Sequence, residues 1–82
     1  MKLLYFTASW CQPCKTYGPI MDNVAKSGIP VQKIDVDQFL GEAQKYGIQS
    51  VPTVIKVDSQ NNVINTLIGV NSEQKVREFY NG

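Results

Sequence analysis

Trp10-Cys11-Gln12-Pro13-Cys14-Lys15 holds both cysteines of the chain, with two residues between them. The short apolar run Leu3-Leu4-Tyr5-Phe6 comes before it, and apolar positions at helical spacing come after it. A Cys-x-x-Cys where a strand hands over to a helix is a redox signature. With Cys11 at the helix start, Cys14 lies about one turn on. That is within the Cα separation of roughly 4.4–6.8 Å that a disulfide requires. The pair can therefore close and open without moving the backbone far.

The flanking segments read as alternating strands and helices. Lys2 to Phe6 is a short buried strand ended by Thr7-Ala8-Ser9. From Cys11 to about Ser27 the positions Cys14, Tyr17, Ile20, Met21, Val24 and Ala25 recur with a helical period, and Gly28 is the expected C-cap before Pro30. Pro19 falls inside this helix and predicts a kink, because it removes a donor and clashes with the preceding turn. Val31 to Val36 alternates as a strand with one better-buried face. Asp37 is placed to N-cap a short helix through Tyr46, with Phe39, Leu40 and Ala43 facing inward and Gly47 ending it. Thr53–Val57 and Val63–Ile68 flank the polar turn Asp58-Ser59-Gln60-Asn61-Asn62 and predict an antiparallel hairpin. Asn71 with Gln74 resembles a capping box for a last helix whose inner face is Val76, Phe79 and Tyr80.

The order β-α-β-α-β-β-α predicts one α/β domain over residues 1–82. The first two strands, joined by a helical crossover, are expected to be parallel. The hairpin completes a mixed four-stranded sheet with helices on both faces.

Composition narrows the function. The chain has 82 residues, with 8 basic and 7 acidic side chains and a net charge of +1. No basic stripe points to nucleic acid, and no apolar run approaches a membrane span. The first residues read straight into a strand, so no leader peptide is expected in front of the fold, and a cytoplasmic protein is expected. In that compartment a Cys-x-x-Cys is more often catalytic than structural. Histidine is absent. That removes Cys-His and Ser-His-Asp catalysis. Two thiols alone cannot complete the usual four-ligand zinc site, so no metal is expected.

Several motifs in sequence order resemble the thioredoxin superfamily. Trp10 to Lys15 resembles its active-site motif, and Pro19 matches its kinking proline. Lys33-Ile34-Asp35-Val36-Asp37 resembles its second parallel strand. Lys45-Tyr46-Gly47-Ile48-Gln49-Ser50-Val51-Pro52-Thr53 resembles the approach to its cis-proline, and Gly69 matches the glycine ending its last strand. The family's preceding strand and helix have no counterpart, so the chain reads as a minimal version, as in glutaredoxins and other small redoxins. Gln12 stands for a usual glycine, Tyr5 for a usual buried aspartate, and Thr7 for a usual tryptophan.

The resemblance implies a thiol–disulfide oxidoreductase that reduces protein disulfides without a cofactor, recharged by a thioredoxin reductase-type donor and acting as a monomer. Cys11, at the helix N-terminus where unpaired N–H groups favour negative charge, is expected to attack the substrate disulfide, and the deeper, less exposed Cys14 to resolve it. Trp10, Val51, Pro52, Gly69 and Val70 are the expected docking residues, with an extended substrate segment pairing against the Val51 backbone. Gln12, Pro13, Lys15, Lys33 and Tyr5 are expected to tune the thiols. Asp35 and Asp37 are expected to point away from them. A phenol is a poor base at neutral pH, so Tyr5 predicts slow deprotonation of Cys14.

Two other readings have distinct signatures. A glutathione-dependent glutaredoxin ordinarily carries Gly-Gly and an acidic residue where this chain has Gly69-Val70-Asn71-Ser72. A non-catalytic binding subunit would survive replacement of both cysteines by serine, whereas a redox enzyme would not.

Overall fold

A computed structural model describes residues 1–82. The elements are β1 (Lys2–Thr7), α1 (Gln12–Lys26), β2 (Val31–Asp35), α2 (Leu40–Lys45), β3 (Thr53–Val57), β4 (Val63–Ile68) and α3 (Glu73–Asn81). Their order is the one expected from the sequence. The sheet order is β2-β1-β3-β4. β1 runs parallel to β2 and antiparallel to β3, and β4 closes the hairpin with β3.

β1 and β3 are central, which is why both are apolar on both faces rather than alternating. Leu3 and Tyr5 of β1, with Val54 of β3, pack against Tyr17, Met21 and Val24 of α1 and Val76 of α3. Leu4, Phe6, Ile34, Ile55 and Val57 form the opposite layer, covered by Tyr46, Ile48 and Val51 from α2 and the segment after it. Helices therefore flank both faces of the sheet. Each fully buried large side chain contributes about 1.5–3 kcal/mol, so these two layers carry most of the stability of a small chain.

β3 contains a residue whose burial the sequence does not announce. Lys56 is 2% exposed. It pairs in register with Leu3, which puts it on the α1/α3 face. Its stem lies beneath the end of α3, its Nζ donates to the Gly82 carbonyl oxygen at 2.8 Å, and Nζ lies 5.9 Å from the Tyr80 ring centroid. A cation at a helix C-terminus is electrostatically favourable, and the apolar stem can be buried while its head is satisfied.

Local expectations change in all three helices and at the ends of two strands. α2 begins at Leu40, and Asp37 does not cap it; Phe39 takes the N-cap position without a side-chain hydrogen bond. Phe39 and Leu40 are 51% and 61% exposed, so only Ala43 of the three expected inward residues is buried. The preceding turn is built by Asp35 instead, whose carboxylate accepts from the Asp37 N–H and whose carbonyl accepts from the Phe39 N–H. The cap of α3 is Ser72, accepting from the Lys75 N–H, while Asn71 donates to the carbonyls of Ile68 and Gly69. Ser27 is the C-cap of α1, with Gly28 one place beyond at φ +101°, and Ala25 is exposed. Both strands β1 and β2 also shift by a residue at their ends: Thr7 belongs to β1, and Val36 lies outside β2.

Candidate active site

Cys11 is the N-cap of α1. Its backbone is extended, and its Sγ accepts the Cys14 N–H at 3.2 Å. Pro13 sits in the first turn, where a missing donor leaves no gap in the helix ladder. Cys11 and Cys14 are joined in a disulfide with their Cα atoms 5.2 Å apart. The bridge closes a very short loop, so it adds little stability by restricting the unfolded chain. The two cysteines are 3% and 4% exposed, so exposure does not rank them as expected. They differ in surroundings: Cys11 faces the Val51 loop, while Cys14 faces a cavity on the inner side of the helix.

The segment after α2 brings Val51 and Pro52 to the disulfide. The Val51–Pro52 peptide bond is cis. The Val51 carbonyl oxygen lies 3.6 Å from Cys11 Sγ, and Val51 packs on the cluster of Ala8, Cys11 and Cys14. Neither the N–H nor the carbonyl of Val51 enters a backbone–backbone hydrogen bond. Pro52 is buried, and its carbonyl accepts the Gly69 N–H at 2.9 Å. Gly69 holds φ +85°, a conformation that costs an L side chain roughly 1–2 kcal/mol. Val70 follows it as an exposed side chain, the loop being held by Asn71. The expected docking residues Val51, Pro52, Gly69 and Val70 thus come together at one end of the sheet.

Trp10 is 66% exposed, yet its indole is fixed: Nε1 donates to Asp37 Oδ2 at 2.7 Å. Beside it runs a mainly apolar groove of about 390 Å³, lined by Trp10, Val36, Leu40, Ile48 and Val51 among others. The sequence carried no sign of Asp37 as the indole's partner. It gave no sign of Leu40 as a groove residue either, since Leu40 reads there as core.

On the inner side, a second cavity of about 430 Å³ reaches Cys14. Tyr5, Thr7, Lys15, Lys33 and Asp35 line it. β1 and β2 are in parallel register, with Tyr5 beside Lys33 and Thr7 beside Asp35, so all four project to the same face. Asp35 therefore does not point away from the thiols: it shares the cavity with Cys14. The Tyr5 hydroxyl donates to the Cys14 carbonyl at 3.3 Å, and burial pushes its phenol above its usual range. Gln12 is exposed on the first turn and away from this cavity. No group of three or more His, Cys, Asp or Glu side chains is gathered to hold an ion. No helix is long and apolar enough to cross a membrane.

Comparison with known proteins places this geometry in a family. The Thioredoxin family model matches residues 1–81. The chain is 37% identical over 71 residues to Thioredoxin H4 of Arabidopsis thaliana, covering 83% of this chain but only 59% of that protein. It is 33% identical to the thioredoxin of Bacillus subtilis, covering 93% of this chain and 75% of the relative. Among solved structures, a reduced thioredoxin pre-protein of Schistosoma mansoni superposes with a TM-score of 0.86 at 30% identity, covering 96% of this chain and 74% of that one. A mutant thioredoxin from Halobacterium salinarum gives the same TM-score at 29% identity, covering 95% and 69%. With the Cys11–Cys14 pair at disulfide distance, these likenesses support a thiol–disulfide oxidoreductase. The chain belongs to the thioredoxin family.

Proposed function

We propose that the chain reduces protein disulfides through a dithiol–disulfide cycle in which Cys11 attacks and Cys14 resolves. The observation that carries this reading is the Cys11–Cys14 pair at the start of α1, facing the unpaired backbone of Val51. Unsatisfied N–H groups and the helix dipole favour negative charge at the N-cap, which supports Cys11 as the attacking thiolate. Its sulfur beside the Val51 carbonyl supports a substrate strand laid against that loop, with Trp10, Pro52, Gly69 and Val70 around it. Attack gives a Cys11–substrate mixed disulfide. The Cys14 thiolate then displaces the substrate thiolate and restores the Cys11–Cys14 bridge. The electron donor is a thioredoxin reductase-type enzyme, and the protein works as a cytoplasmic monomer. Gln12, Pro13, Lys15, Lys33 and Tyr5 tune the thiols.

The test has two parts. Cys14→Ser is expected to trap substrates on Cys11; trapping that needs loss of Cys11 instead reverses the assignment. A turnover assay then offers a protein disulfide with thioredoxin reductase and NADPH in one arm, and glutathione with its reductase and NADPH in the other. Turnover confined to the glutathione arm overturns the proposal.

A further inference from the structure

The resolving step needs Cys14 to lose its proton, and the neighbourhood offers few acceptors. The chain has no histidine. The Tyr5 phenol is committed as a donor to the Cys14 carbonyl, and burial, aided by the charge of Asp22 along α1, keeps it protonated. The Tyr17 phenol is likewise held protonated by burial. Lys15 and Lys33, the other charged groups on the cavity wall, come from α1 and β2 and are cations. One carboxylate remains on that wall, Asp35.

We propose that Asp35 is the proton acceptor for Cys14, acting through water in the cavity they share. This deepens the proposed function and rests on Cys14 being the resolving thiol. Asp35 is half-buried at the end of β2, beside Thr7 in register. Thr7 is small enough to leave the cavity of about 430 Å³ open between the carboxylate and the sulfur. The carboxylate is held in place because one oxygen accepts the Asp37 N–H at 2.9 Å, and the other is free for water. Lys33 and Lys15 line the same cavity wall. The Cys14 S–H proton passes through water to the carboxylate, and the Cys14 sulfur attacks Cys11 Sγ. The new S–S bond forms as the Cys11–substrate bond breaks. The substrate sulfur leaves with the electron pair and takes a proton from solvent. Cys11 and Cys14 end oxidised, and the substrate is reduced.

The test follows reaction of the reduced protein with an equimolar aromatic disulfide, dithiobis(nitrobenzoate), whose two coloured thiolates leave in sequence. The first reports attack by Cys11 and the second resolution by Cys14. Asp35→Asn keeps the acceptor for the Asp37 N–H and removes the base. A positioned general base contributes about 10²–10⁴ in rate; acting through water, its loss is expected to slow the second phase about tenfold or more near pH 7. The first phase changes by less than about twofold. Above about pH 9.5 the two proteins converge, because an ordinary thiol ionises near 8.5 without help. Asp35→Glu recovers part of the lost rate. A second phase that is unaltered, or slowed alike at every pH, overturns the proposal alone. Loss of the first phase in Cys14→Ser overturns the cysteine assignment and this proposal with it.

Discussion

The Tyr5 hydroxyl donates a hydrogen bond to the backbone carbonyl of Cys14 at 3.3 Å, tying the central strand to the helical turn that carries the second cysteine. The Tyr5 ring also meets the Tyr17 ring edge-on, with centroids 5.6 Å apart. This tyrosine pair fills the space between β1 and α1 directly behind the disulfide. The Tyr5 hydroxyl ties this packing to the turn that carries Cys14.

Both phenols are pushed above their usual value of 10.0, in each case chiefly by burial. The unfolded chain releases these protons near pH 10, while the folded chain keeps them to higher pH. Their contribution to stability is therefore complete below pH 10 and is lost as pH rises above it, by up to about 1.4 kcal/mol per pH unit for each phenol. Urea unfolding between pH 8 and pH 11.5 is expected to show this fall, and Tyr17→Phe to reduce its slope. An identical slope in the variant would count against burial as the cause.

At neutral pH the same variant separates packing from polarity. The Tyr17 hydroxyl is buried without a hydrogen bond of good geometry. Removing it is expected to leave stability within about 1 kcal/mol of the parent or to raise it, because no satisfied bond is lost. Tyr17→Ala, which empties the space behind the disulfide, is expected to cost about 3–5 kcal/mol. A loss above about 2 kcal/mol in Tyr17→Phe would show that the hydroxyl is satisfied.

Trp10 is held over the apolar groove by Asp37. Asp37→Ala frees the indole, and a hydrogen bond to a charged group is worth about 1.5–3 kcal/mol, less in an exposed setting. A fall of about three- to tenfold in kcat/KM is expected with a protein disulfide, and little change with a small aromatic disulfide that does not reach the groove. Equal effects on both substrates would place the role of Asp37 at the thiols instead.

Lys56 offers a stability test far from the disulfide. Lys56→Ala removes a buried stem beneath α3 and is expected to cost about 2–3 kcal/mol in chemical denaturation. Lys56→Met keeps the stem and loses the bond to the Gly82 carbonyl, and is expected to cost about 1 kcal/mol or less. If the two variants lose the same stability, the ammonium and not the stem is what matters.

The element order and the two-residue spacing of the cysteines were legible because they rest on local signals: apolar runs, helical period, Gly28 and Pro30 as stops. The cap assignments were less so. Asp37 and Asn71 have side chains suited to capping, but Asp37 is drawn off by the Trp10 indole, and Asn71 by the carbonyls of Ile68 and Gly69. Phe39 and Leu40 read as core from hydrophobicity, yet α2 is too short to bury them. Lys56 reads as surface from charge, yet the end of α3 supplies a partner for its head and a cover for its stem.

Sequence by itself determined the fold class and the cysteine pair at the strand-to-helix junction, because the period of apolar residues and the reach of one helical turn are local properties. Only the tertiary structure decided what surrounds each sulfur. The parallel register of β1 and β2 brings Lys33 and Asp35 alongside Tyr5 and Thr7 on the wall behind Cys14. The loop after α2 brings Val51 against Cys11, across 40 residues of chain. Those neighbours come from strands and loops distant in sequence, and side-chain direction across a sheet depends on register, which no single segment specifies.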